Sequence, residues 1–175
     1  MPRASAIENF TVSRGGYALI ALGCASLLAF GYYLQFGNGL EPCPLCIFQR
    51  VAFFAIASIA ALATVHGPRG PARRVYAALI GLSALAGSMV AGRQTWLQHL
   101  PADQVPECGP GLEFMIEMYA PFEVLKRVLQ GTGDCAKVDW TFLSFSIAEW
   151  ALFCFSLILF TAFIQWRAAR RREWL

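Results

Sequence analysis

The chain has 175 residues, 57% of them hydrophobic and only 14% charged, with a mean hydropathy of +0.52. That balance excludes a soluble globular domain. The formal net charge of +3 is modest and, as its distribution shows, flanks apolar segments rather than forming a basic surface, so no nucleic-acid partner is expected.

Crossing a hydrocarbon core of about 30 Å takes about 20 largely apolar helical residues, because lipid offers backbone groups no hydrogen-bond partner. Four segments qualify. Residues 17–36 hold no charge and end in the aromatic cluster Tyr32, Tyr33 and Phe36, which suits a membrane interface. A cleaved leader is the rival reading, since "ALGC" precedes Ala25, but the apolar run continues well past Cys24 and the segment is expected to stay in the membrane. Residues 47–65 form the second span and carry Gln49 and Arg50 in its first turn. Residues 75–91 form a shorter third, with Ser83, Gly87 and Ala91 at the four-residue spacing that allows close helix approach. Residues 143–165 form the fourth, with Glu149 near its start and Trp166 just beyond it.

The basic residues next to the spans set the orientation. Arg3 and Arg14 precede the first, Arg69, Arg73 and Arg74 lie between the second and third, and Arg167, Arg170, Arg171 and Arg172 follow the fourth. All fall on one side, which is predicted to be cytoplasmic and to hold both termini. The opposite side receives a short loop, 37–46, without a basic residue, and a long loop, 92–142, where acids outnumber bases. The expected fold is an all-α membrane protein: a single domain, 1–175, forming a bundle of four transmembrane helices with two outward loops. In the second loop, "GLEFMIEMYAPFEVLKRVL" reads as one or two short helices, bent near Pro121, lying in the membrane interface or packed on protein.

Cysteine placement carries the chemistry. Cys24 and Cys154 lie inside spans, where a thiol behaves as a small hydrophobe. Cys43, Cys46, Cys108 and Cys135 all lie on the outward side, where disulfides persist. Four cysteines allow three pairings. The Cys-x-x-Cys spacing favours Cys43 with Cys46, a ring suited to exchange because a second thiol always stands ready to resolve a mixed disulfide. That leaves Cys108 with Cys135. Zinc is the competing chemistry, but Cys108 and Cys135 form no second close knuckle, and no metal is expected. No strand–helix–strand pattern surrounds Cys43, so a soluble thioredoxin-like site is also excluded. Arg50 follows Cys46 by one helical turn on the same face. A guanidinium there can favour a thiolate and hold the polar head of a membrane-soluble molecule, although near a helix end it can instead simply extend to the headgroups.

"PCPLCIFQR" at the start of the second span, with "LPADQVPECGPGLEF" and "GTGDCAKVDWTFL" in the long outer loop, closely resembles the bacterial DsbB family, and the resemblance covers almost the whole chain. It implies an inner-membrane thiol oxidase that reoxidises a periplasmic thioredoxin-fold DsbA-like partner and passes electrons to ubiquinone or menaquinone. The two outer loops would then be periplasmic. By the same resemblance, Cys108 would form the mixed disulfide with the partner, Cys135 would be its mate, Cys43 and Cys46 would reoxidise that pair, and Cys46 would react with the quinone. Arg50 and His99 would lie beside the quinone. Pro101, Pro106 and Pro110 keep the segment around Cys108 extended and accessible. Two other readings compete: a scaffold whose disulfides only staple its loops, and a carrier of reducing power across the membrane. The carrier would need paired cysteines within the spans, whereas all four candidates share one side.

Overall fold

The computed structural model describes residues 10–173 except Ala102, Cys108, Pro110 and Gly111, with the side chains of 171–173 left out. Among the described residues four helices are long and apolar enough to cross a membrane: α1 (Arg14–Asn38), α2 (Pro44–His66), α3 (Pro71–Gln98) and α7 (Ile147–Glu173). The long loop adds α4 (Leu112–Met118), α5 (Pro121–Gln130), the single turn α6 (Gly133–Ala136) and a hairpin of β1 (Thr141–Phe142) with β2 (Phe145–Ser146). The chain is thus a four-helix, multi-pass membrane protein.

The spans pack in the order α1, α2, α3, α7, with α3 against both α2 and α7, while α1 and α7 barely touch. Small residues allow this closeness. Gly87 on α3 leaves room for the Phe155 ring of α7, since a Cβ there would sit 2.4 Å from a ring carbon. The same ring stacks on Phe53 of α2 at a centroid distance of 4.0 Å. Ile56, Ala60, Ile80, Ala84, Ala91 and Ala162 complete this core. Outward, large apolar side chains such as Leu22, Phe54, Leu62, Leu82 and Phe160 stay exposed on every span, an apolar expanse that matches lipid and not water.

The helices extend beyond most of the apolar windows, and two of the boundary shifts bear on the site. α3 continues seven residues past the apolar window, to Gln98, because its last turns are packed by the loop rather than by lipid: Leu97 is fully buried with Leu45, Met115 and Val128. The fourth helix starts at Ile147, not 143. Leu143 and Ser144 instead form the hairpin turn at positive φ, and Ser146 opens the helix in a reciprocal cap. The Glu149 backbone N–H donates to Ser146 Oγ (3.3 Å), and the Ser146 backbone N–H to Glu149 Oε2 (2.6 Å).

Two short helices, α4 and α5, fill the segment expected to be helical, with the break at Pro121, the first residue of α5. Met115, Val124 and Val128 pack inward on the end of α3 and the start of α2. Phe114, Ile116, Met118 and Phe122 remain exposed.

Candidate functional site

The site forms where α2 begins. Cys43 is the N-cap of α2, and its sulfur accepts from the Cys46 backbone N–H (3.3 Å). Pro44 at the first helical position needs no hydrogen-bond partner there. The Cys43 and Cys46 sulfurs are 2.9 Å apart, as free thiols. In its second turn the helix buries Gln49 and carries Arg50, half-buried, beside it.

The long loop brings a third sulfur to this pair. Arg93 on α3 donates to the last carbonyls of α5, through Nε to Leu129 O (3.2 Å) and Nη2 to Gln130 O (2.7 Å). Gly131 then turns at φ +79 directly over Leu97, where a Cβ would come within 2.3 Å of Cδ1. The chain returns to α6 with Cys135 fully buried. Cys135 and Cys43 hydrogen-bond through their sulfurs. Cys43 keeps the proton, its thiol pushed up by that bond, by Cys46 and by burial. The hydrogen bond from Cys43 lowers Cys135 to about 6 against the opposing effect of burial, with help from the backbone N–H groups of Thr132 and Leu45. Three of the four expected cysteines therefore meet in one cluster. The fourth, Cys108, lies outside the described residues.

A cavity of about 540 Å³ opens beside Cys46, in the gap that α1 and α7 leave between them. Leu27, Phe30 and Leu34 line one side and Trp150, Ala151 and Cys154 the other. Trp140 roofs it, packing edge-on against Phe30 (5.4 Å) and stacked on Phe142 (6.2 Å). The polar lining is sparse. Arg50 donates to Gln35 Oε1 and to Gly31 O (3.0 Å) and lies over the Tyr32 ring (5.0 Å), which leaves further guanidinium donors at the cavity edge. Gln94 donates through Nε2 to Cys46 Sγ (3.2 Å), while its Oε1 accepts from Gln49 Nε2 (2.7 Å). Oε1 also lies 3.5 Å from Cys46 Sγ and can accept from the thiol, so the Gln94 amide meets the sulfur as donor when Cys46 is a thiolate and as acceptor when it is a thiol.

The structure brings Cys43, Cys46, Cys135 and Arg50 to this site but not His99. The His99 side chain is 67% exposed and outside the cavity lining, with Nδ1 2.9 Å from Thr95 O and Nε2 3.7 Å from Glu149 Oε1. Gln94 and Gln98 of the same helix line the cavity instead. Sequence reasoning missed Gln94. Its only signal was a glutamine continuing the face of α3 that holds Gly87 and Ala91.

Together these features define a class: a multi-pass helical membrane protein with a dithiol-exchange site at one mouth of its bundle, next to an apolar cavity. The sequence profile described as "Disulfide bond formation protein DsbB" matches residues 13–165. Proteins called "Disulfide bond formation protein B" are similar along most of their length. That of Marinobacter nauticus is 49% identical over 93% of this chain and 98% of its own. That of Methylococcus capsulatus is 47% identical over 91% and 97%, and that of Azoarcus sp. 54% identical over 75% and 79%. The chain belongs to the DsbB family of disulfide-bond formation proteins.

Proposed function

We propose that this protein is a membrane thiol oxidase that withdraws two electrons from a DsbA-like dithiol partner and delivers them to a membrane quinone. The observation that carries the reading is the sulfur cluster Cys43, Cys46 and Cys135 against an apolar cavity edged by Arg50 and Gln94. Such a cavity suits a flat, lipid-soluble molecule with polar oxygens, since ligand sites are mostly apolar with a few convergent polar groups. Ubiquinone or menaquinone meets that description, held by Arg50, Gln94 and Gln98 beside Cys46. When bound, a quinone supplies an acceptor for two electrons and two protons.

The chain's own residues carry the preceding exchanges. The partner's thiolate attacks the Cys108–Cys135 disulfide at Cys108. Cys135 leaves as a thiolate, and its partner thiol then closes the partner's own disulfide and releases Cys108. The backbone N–H groups of Thr132 and Leu45, which favour the Cys135 thiolate whatever the state of Cys43, assist that departure, because leaving groups of low pKa leave faster. Cys135 thiolate, held against Cys43, attacks an oxidised Cys43–Cys46 pair at Cys43, and Cys46 departs with the Gln94 amide donating to its sulfur. Cys108 then displaces Cys43 from Cys135, restoring the loop disulfide and leaving Cys43 and Cys46 as a dithiol. That dithiol gives up two electrons and two protons at the cavity and closes again.

The positive-side rule supports cytoplasmic termini, a bacterial inner-membrane location and periplasmic redox loops. The exposed apolar residues of α4 and α5 support seating of those helices in the membrane interface.

The test follows quinone reduction by purified protein supplied with a reduced periplasmic dithiol oxidase. Turnover is expected for the wild type and is lost in Cys46→Ala. Wild type without turnover would overturn the oxidase reading, and a Cys46→Ala variant that still turns over would overturn the route. Cys135→Ala is expected to accumulate a mixed disulfide between the partner and Cys108.

A further inference from the structure

At the end of the bundle remote from the cysteines, the start of α1, the α2–α3 turn and the start of α3 enclose a second cavity of about 220 Å³. Ser13, Arg14, Gly67, Pro68, Arg69 and Arg73 line it. Three arginines thus border one small space. The sequence holds no Asp or Glu between residues 9 and 40 or between 42 and 102, so none of the segments that build the cavity carries a carboxylate. The carboxylates of Glu123 and Asp134, paired with Arg127 and Lys137, lie at the opposite end of the bundle.

The ordinary role for a cation here is to meet the last carbonyls of α2. Arg73 instead meets the turn beyond the helix with one nitrogen, its Nε donating to Pro68 O (2.9 Å), which is one of five donors. Among the described residues no hydrogen-bond acceptor engages Arg14 or Arg69. Arg14 lies over Gly67, the left-handed cap of α2 at φ +58, where a Cβ would come within 2.4 Å of Arg14 Nε. The glycine therefore both closes α2 and lets this guanidinium into the cavity. Backbone adds to the field. α1 and α3 both begin at this cavity with no acid in the first turn, and Gly70 gives α3 no side-chain cap, so two positive helix ends meet there.

We propose that this cavity binds a phosphate group, supplied by the headgroup of an anionic phospholipid in the leaflet remote from the redox cysteines. Its level argues for the lipid source. The cavity sits where three apolar helices end, which is where headgroup phosphates lie. Bound there, the phosphate ties the start of α1 to the α2–α3 turn, replacing the carboxylate that these segments lack.

The experiment uses the full chain in neutral detergent and reads thermal unfolding and lipid retained in native mass spectrometry. Phosphatidylglycerol, phosphatidylcholine and inorganic phosphate are added in separate arms. Phosphatidylglycerol is expected to raise the unfolding temperature and stay bound, and phosphatidylcholine to do neither. Arg14→Gln and Arg69→Gln are each expected to weaken phosphatidylglycerol binding about tenfold or more, as for a lost charge-assisted hydrogen bond. Arg170→Gln, on the same side but outside the cavity, removes only diffuse attraction, about fivefold. Should Arg14→Gln fail to fold, Arg69→Gln carries the test alone, since that side chain is exposed and makes no hydrogen bond among the described residues. Equal responses to the two lipids, or equal losses in all three variants, overturn the proposal. Stabilisation by inorganic phosphate without phosphatidylglycerol overturns the lipid source.

Discussion

Buried glutamine is costly unless its amide is satisfied at both ends. Gln94 meets that condition by donating to the Cys46 sulfur and accepting from Gln49, so it is a positioned donor at the reacting pair. Gln94→Leu keeps the volume and removes the donor. It is expected to slow electron delivery from Cys46 about tenfold or more, the worth of a hydrogen bond to a charged group. Unchanged turnover would show that the amide is not used. Gln49→Leu is expected to cost less, since it acts on Cys46 only through Gln94. Cys135 makes a prediction in pH. Its pKa of about 6 lies below the ordinary thiol value, so in the reduced protein the thiolate is present at neutral pH and is lost as pH falls through about 6. Ultraviolet thiolate absorbance of the reduced protein reads this. A Cys43→Ala variant, which lacks the donor, is expected to move the midpoint upward, and an unmoved midpoint would assign the shift to the backbone N–H groups alone.

Elements place these residues by close approach. The Gly87 notch that accepts Phe155 joins α3 to α7, and Gly87→Ala is expected to destabilise the bundle by about 1–3 kcal/mol through overpacking, read as unfolding in detergent. Arg93 acts on the loop instead, by holding the end of α5 so that Gly131 can turn Cys135 back over Leu97. In a Cys46→Ser, Cys108→Ser background, Arg93→Gln is expected to lower the yield of a Cys43–Cys135 cross-link under mild oxidation. An unchanged yield would mean that apolar packing alone holds the loop. Much at this scale was legible in the sequence. Apolar length identified the spans, and Pro121 marked the break between α4 and α5. The Ser146-x-x-Glu149 cap is a sequence signature as well, but the apolar run beginning at Leu143 pointed to an earlier helix start. The extra turns of α3 were not legible, because they depend on residues from 45 to 128 that cover Leu97. The same tertiary dependence hid the Gln49–Gln94 pair and the meeting of Cys135 with Cys43. His99 and Gln94 differ by little more than a turn along α3, a register that periodicity alone does not resolve.

At the scale of the whole molecule, the acids and bases divide by side. The paired carboxylates Glu123 and Asp134 belong to the cysteine end, and the arginine cavity belongs to the other. In intact cells stripped of the outer membrane, Asp103→Cys is expected to react with an impermeant maleimide. Arg69→Cys is expected to react only after the membrane is opened, and early labelling there would reverse the proposed orientation.

The gap between α1 and α7 has a kinetic consequence. The cavity lies between two spans that barely touch, and a gap between spans is a route from the lipid phase for the proposed quinone. A hydrophobic molecule can then arrive by lateral diffusion, without crossing water or waiting for a gate in the loops. On the proposed function, supply of the quinone is set by its mole fraction in the bilayer, so diluting the lipid phase with inert lipid should slow turnover even when the total amount of quinone is constant. The soluble partner arrives from the opposite phase, at the exposed end of the bundle, and the two encounters draw on separate reservoirs with separate dimensionalities.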